Sequence, residues 1–276
     1  MKKIRVICII LIILNMFTFS GCSAVDASMV KLGFWNNDFE YFKTNTVDKI
    51  IIQNVRDAGF RFVVTDTSAI NEIYDILHKA SIKENKTSLD PDYYFEIYIG
   101  EKVKKYTYVV GVNEKGVGSF YNDEKVYDVS GNLDETILNN LSFIRKPKDF
   151  EKVYYESILK ILEMKKDDLS KDNKVGIDIS GDVNCLKYMF STQLEDFKDQ
   201  LDKCVSGTTF VNNNSDDFDT VISVNNRGYN TRTFKTTIIY NNKKDKVYQT
   251  YYVTGNYEYK SWNITVSEPD EKPDNW

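Results

Sequence analysis

Hydrophobic and polar positions follow two periods along this chain, and the switches between them mark out its elements. Val47–Gln53 is rich in β-branched residues and predicts a strand; Gly59–Thr65, with Phe60, Phe62 and Val64 at alternate positions, predicts a second. Ile70, Ile73, Tyr74, Leu77 and Ala80 then recur at helical spacing behind three candidate N-caps, Asp66, Thr67 and Ser68. Past Pro91, Tyr93–Ile99 alternates again, Lys105–Val112 predicts a further strand, and Gly116–Tyr121 with Lys125–Val129 predicts a hairpin turning at Asn122-Asp123. Asn132 and Glu135 form a capping-box pattern opening a short helix with Leu133, Ile137, Leu141 and Ile144 inward.

The charged, proline-containing run Arg145-Lys146-Pro147-Lys148 is the best boundary in the chain. Beyond it, Asp149 is a candidate cap for a helix with the stripe Phe150, Val153, Tyr154, Ile158, Ile161 and Leu162. Lys174–Ser180 predicts a strand. Asp182 then opens one long helix with Leu186, Phe190, Leu194, Phe197, Leu201 and Cys204 on one side. A meander of four strands follows: Phe218–Asn225, Thr233–Asn241, Lys246–Thr254 and Tyr257–Val266, with turns at 241–244 and at Gly255-Asn256. The expected architecture is α+β, in two small domains, each an antiparallel sheet packed with one or two helices. The expected division is 1–21 signal peptide, 22–45 tether, 46–146 first domain, 147–266 second domain and 267–276 flexible tail.

The start of the chain changes the picture from architecture to compartment. Lys2, Lys3 and Arg5 precede an unbroken apolar run from Val6 to Leu14, and Phe19-Ser20-Gly21-Cys22 closes the segment. This is the order of a secretory signal. As a helix Val6–Phe19 would reach about 21 Å, short of a hydrocarbon core of about 30 Å. The closing residues resemble the lipobox of bacterial lipoproteins, with Phe19 where leucine is usual. The resemblance implies cleavage before Cys22 and acyl chains (palmitate-type) on Cys22. The expected location is therefore the outer face of the cytoplasmic membrane. Two acyl chains hold a protein firmly, since each buried CH₂ contributes about 0.8 kcal/mol.

Charge and cysteine usage narrow the partners. Losing the three basic residues of the signal takes the net charge from −5 to −8. That argues against nucleic acid, which wants a basic footprint, and leaves membrane attachment to the lipid. Of the four cysteines, Cys8 leaves with the signal and Cys22 carries lipid. Cys185 and Cys204, placed on one continuous helix, would be about 28 Å apart, too far for a disulfide; they read as small buried hydrophobes.

The lipobox, then Val47-Asp48-Lys49-Ile50-Ile51-Ile52, the helix Ile70–Ala80, and Pro91-Asp92-Tyr93-Tyr94-Phe95-Glu96-Ile97 together resemble the YhfM-like domain of uncharacterised Gram-positive lipoproteins. The resemblance covers roughly Asp48–Ile144, implies a surface lipoprotein and brings no catalytic residues. Nothing in Asp149–Val266 resembles a known family.

Candidate chemistry is sparse. His78, the only histidine, lacks partners for a triad or zinc site and reads as a surface or boundary residue. Gly116-Val117-Gly118 lacks both the third glycine of a dinucleotide loop and the lysine of a P-loop. Asn212, Asn214 and Asp216 are spaced like calcium ligands, but Asp217 stands where glycine is needed and Ser223 where glutamate belongs. Asp178 in a strand and Asp182 at the next helix start are two carboxylates near a strand-to-helix turn, a placement that can serve acid–base chemistry. No cofactor and no metal is expected, and the chain does not read as an enzyme. Its nineteen tyrosines are more suggestive, because an exposed aromatic face stacks on sugars or partner proteins. Tyr248, Tyr252 and Tyr257 are the candidates for such a face on the meander, beside Tyr93, Tyr94, Tyr98, Tyr106, Tyr108, Tyr251, Tyr259 and Trp262 on predicted strands. The expected role is a non-enzymatic binding or interaction module whose partner is an envelope protein or a cell-wall polymer. The alternatives are a wall-modifying hydrolase with carboxylate catalysts and a structural or assembly lipoprotein.

Overall fold

The computed structural model describes residues 35–43, 47–112, 116–137, 147, 149–169, 173–274 and 276. The signal, the lipobox with Cys22, most of the tether expected up to 45, most of the helix expected after Asn132 and most of the 145–148 link lie outside the described residues. The rest is α+β: two sheets, each with helices on one face.

The first sheet is antiparallel and seven-stranded. Its strands are β1 (Lys49–Asn54), β2 (Arg61–Val64), β3 (Ser81–Lys83), β4 (Tyr93–Ile99), β5 (Lys102–Val109), β6 (Gly118–Tyr121) and β7 (Val126–Val129), in the order β2-β1-β4-β5-β6-β7-β3. Strand β3 was not legible in the sequence: three exposed residues carry no periodicity. Helix α1 (Thr67–Leu77) covers one face through Ile70, Ile73, Tyr74 and Leu77, and the Asp66 carboxylate caps it by accepting from Ala69 N–H at 2.9 Å. Its other end is capped from a distance. The Asn36 side-chain amide donates to the carbonyls of Leu77 and Ala80 at 3.0 and 2.7 Å, taking up acceptors that a helix terminus leaves free.

The fold thus begins before the expected tether ends at 45. Phe39 and Phe42, three residues apart around a 3₁₀ turn (Glu40–Phe42), are core residues. His78 is also not a surface residue: it is 5% exposed, its ring lies between Trp35 and Tyr74, and its Nδ1 faces the Asn36 carbonyl at 3.1 Å. The capping box expected at Asn132 does not form. In α2 (Asn132–Glu135) Gly131 holds the N-cap position without a side-chain bond.

The second sheet contains β8 (Val175–Asp178), β9 (Thr209–Phe210), β10 (Thr220–Tyr229), β11 (Thr233–Asn242), β12 (Val247–Glu258) and β13 (Ser261–Val266), in the order β13-β12-β11-β10-β8-β9. The meander is antiparallel as expected, while β8 pairs in parallel with both β10 and β9. Helices α3 (Phe150–Lys165), α4 (Val183–Leu186) and α5 (Ser191–Cys204) complete the unit, and Tyr155 of α3 stacks on Phe197 of α5 at 4.2 Å.

Four expectations fail here, each for a traceable reason. The last hairpin turns at Tyr259-Lys260, both at positive φ, and β12 runs straight through Gly255-Asn256. Gly255 is needed for close approach instead: a Cβ there would sit 2.7 Å from Val153 Cγ2 on α3. Asp149 lies in the left-handed region and makes no side-chain cap. Asp182 caps nothing with its side chain; it accepts from the Tyr154 hydroxyl at 2.7 Å and from Asn226 N–H at 2.6 Å. Finally, the described residues after Val266 are not a free tail. Asp270 N–H donates to the Thr250 carbonyl, Ser267 N–H donates to the Tyr252 carbonyl, and Trp276 packs on Tyr252 at 4.8 Å. Strand β12 outlasts β13, so its outer-edge backbone groups need partners.

The expected long helix from Asp182 is broken at Lys187–Phe190. Phe190 is extended and leaves the second unit to join the core of the first. Asp92, fully buried just before β4, then meets the start of α5. Its Oδ1 accepts from Ser191 N–H at 2.9 Å and from Arg56 at 2.6 Å, and its Oδ2 accepts from Val110 N–H at 2.8 Å. Arg56 also donates to the Ser191 hydroxyl, which donates to the Asp90 carbonyl at 2.7 Å. A helix of one unit is therefore capped by a carboxylate of the other. Burial lifts the Asp92 carboxyl above the usual range, against the opposing Arg56 charge and the two N–H bonds. Cys185 and Cys204 fall on separate helices, and both are free thiols.

Candidate functional site

With α1 and the aromatic core on one side of the first sheet, the opposite face is open among the described residues. Strand residues alternate between faces, so Phe95 and Ile97 point to the core while Tyr94, Glu96 and Tyr98 point away. The register lines up one residue from every strand on that open face. Arg61 pairs with Gln53, Gln53 with Tyr94, Tyr94 with Thr107, Thr107 with Tyr121, Tyr121 with Val126, and Val126 with Lys83. The row crosses all seven strands, a span of about 29 Å at the usual strand spacing. It forms the floor and ends of a groove of about 930 Å³ walled by Glu84–Lys86 and by Asn122–Lys125. The row has a cation at each end, two tyrosines near the middle and a threonine between them.

Beside it runs a shorter row, Ile51, Glu96 and Lys105. Lys105 and Glu96 are 3.4 Å apart, and the Tyr98 hydroxyl donates to Glu96 at 3.0 Å. Other cations of the groove are engaged too: Lys83 pairs with Asp128 at 3.2 Å, Lys125 with Asp38, and the Lys86 ammonium lies 5.7 Å from the Tyr121 ring centre. Tyr94 is 47% exposed. Burial, with Tyr94 and Asp90 nearby, holds the Tyr121 hydroxyl above its ordinary pKa, so it stays a neutral hydrogen-bonding group.

The site differs from the one expected on the meander. Tyr248 and Tyr252 do share the open face of the second sheet, with Tyr248 61% exposed and Tyr252 covered in part by Trp276. Tyr257 is on the other face against Trp262, at 5.3 Å, at the margin of the second core. Because β12 is continuous, odd and even positions separate, and the three do not form one surface. Tyr93, Tyr106, Tyr108, Tyr251 and Trp262 are core residues, and Tyr259 projects from the last turn.

The remaining candidates acquire structural roles. Gly118 lies against Tyr108, whose ring a Cβ would strike at 2.3 Å. Asn214 closes its own loop, accepting from Asn212 N–H at 2.8 Å and donating to Asp217 at 3.0 Å. Asp178 bonds Ser180 while Asp182 bonds Tyr154, so each carboxylate of that pair serves its own neighbours. Among the described residues no group of three His, Cys, Asp or Glu side chains is placed to hold a metal ion, and no helix is long and apolar enough to cross a membrane.

A family model described as YhfM protein matches residues 43–147. The N-terminal half thus carries a YhfM-like domain, in agreement with the order of elements read from the sequence. The match spans β1 to β7 and so includes the whole groove. No curated protein and no solved structure matches the chain.

Proposed function

We propose that this chain is a non-enzymatic binding module of the bacterial envelope, lipid-anchored through Cys22 at the outer face of the cytoplasmic membrane, and that it takes its partner in the groove of the first sheet. The carrying observation is the row of seven aligned side chains on a sheet face that no helix among the described residues covers. Aromatic rings with polar tips, held on rigid strands, favour recognition. The envelope location rests on the charged start, the apolar run and the lipobox-like Phe19-Ser20-Gly21-Cys22.

The test places a photo-activated cross-linking side chain at position 94 or at position 248 of the full chain in cells. Adducts from position 94 alone, recovered with membranes, are the expected result. The same experiment in a Cys22→Ala chain should release the protein from membranes or leave an uncleaved precursor. Equal labelling from both positions would argue against the groove, and unchanged membrane partitioning of Cys22→Ala would argue against the anchor.

A further inference from the structure

We infer that the groove's ligand is an extended, uncharged β-linked glycan lying across the strands along the seven-residue row. This rests on the binding role proposed for the groove and specifies its ligand. Tyr94 and Tyr121 flank Thr107 in one register, so the two rings are two strand spacings apart, about 10 Å. That separation matches the repeat from one sugar to the next but one in an extended β-linked chain. One sugar face would lie on each tyrosine, and the sugar between them would meet the small hydroxyl side chain of Thr107. Gln53, next in the row, adds an amide beyond Tyr94.

Charge decides against a polyanion. Three of the groove's cations already have carboxylate partners, in the pairs Lys83–Asp128, Lys105–Glu96 and Lys125–Asp38. An anionic polymer would have to displace these partners. The distribution of apolar surface decides against a protein. Interface anchors sit at the centre of a docking patch, whereas the most exposed aliphatic side chains here, Val63 and Ile82, belong to the two edge strands. The centre instead holds groups with a flat apolar face and a polar tip. The groove's size, about 930 Å³ and open to solvent, is at the large end of small-ligand pockets and suits several sugar rings.

Calorimetric titration of the full chain with β-linked hexamers of N-acetylglucosamine and of glucose tests this, with the corresponding dimers as length controls. At least one hexamer should bind, and its dimer should bind at least tenfold more weakly, because a dimer cannot reach both rings. Tyr94→Ala and Tyr121→Ala should each weaken hexamer binding about tenfold. Tyr94→Phe, which keeps the ring, should weaken binding less than Tyr94→Ala does, and Tyr248→Ala, on the other sheet, should bind as the parent does. Thermal melting of each variant separates loss of binding from loss of fold. Failure of both hexamers to bind, or binding indifferent to both alanine substitutions, overturns the inference. If cross-linking at position 94 still captures a partner in that case, the binding role stands and only the ligand class falls.

Discussion

A carboxylate's surroundings decide its work, and Asp182 shows it at the scale of one residue. Its position before a helix suggested a cap or an acid–base group, yet it holds the Tyr154 hydroxyl and the Asn226 amide in the second core. Burial raises its pKa above the usual carboxylate value, against the favourable bonds from Tyr154 and Asn226 and the charge of Arg227. The folded state therefore binds its proton more tightly than the unfolded chain does. The resulting stabilisation is complete below the unfolded pKa and is lost as pH rises through the folded one. The stability difference between the parent and Asp182→Asn should then be most favourable to the parent at acid pH and shrink towards neutrality. Urea unfolding of both proteins across that range measures it, and an advantage that grows with pH would contradict the assignment.

At the scale of elements, the packing of α3 on the meander depends on the absence of one side chain. Gly255 lies under Val153, and a Cβ would come within 2.7 Å of its Cγ2 and 3.2 Å of the Trp262 ring. Overpacking of this kind costs about 1–3 kcal/mol. Gly255→Ala should be destabilised by that amount in chemical unfolding. Because the two sites touch, adding Val153→Ala should cost less than the sum of the two single changes. Simple additivity would show that the helix does not rest on this glycine. The same continuity of β12 puts Tyr257 and Tyr252 on opposite faces, which dissolves the aromatic surface expected there.

At the scale of the molecule, the two sheets have separate cores but share a joint. Asp92 from the first unit caps α5 of the second and is neutralised by Arg56, while Phe190 crosses in the other direction. Removing one partner of a buried ion pair costs about 3–5 kcal/mol, because the other charge is left stranded. Asp92→Ala should lose stability on that order. It should also weaken the coupling between the units and split the calorimetric unfolding into two transitions, since this carboxylate ties the first unit to the start of α5. A single unfolding transition at an unchanged midpoint would show that the joint carries no coupling. Division of the chain at 146–147 remains our proposal, with proteolysis expected in the 145–148 link before either core.

What the sequence determined by itself was local in origin. The stripe Ile70, Ile73, Tyr74 and Leu77 specifies α1, and alternation specifies β4 and the long strands β10 and β11, because burial of one face imposes its period on the residues that form it. The α+β class follows from those periods. The tertiary structure decided what depends on residues far apart. The helical pattern running from Leu186 to Cys204 is interrupted because a carboxylate 99 positions before Ser191 satisfies the first amide of α5 while Phe190 finds its burial in the other core. The candidate site is of the same kind. Nothing local distinguishes Gln53, Thr107 or Val126 from other strand residues. Only strand pairing brings them into line with Tyr94 and Tyr121, and a shift of one residue in any pairing would turn that strand's member of the row towards the core.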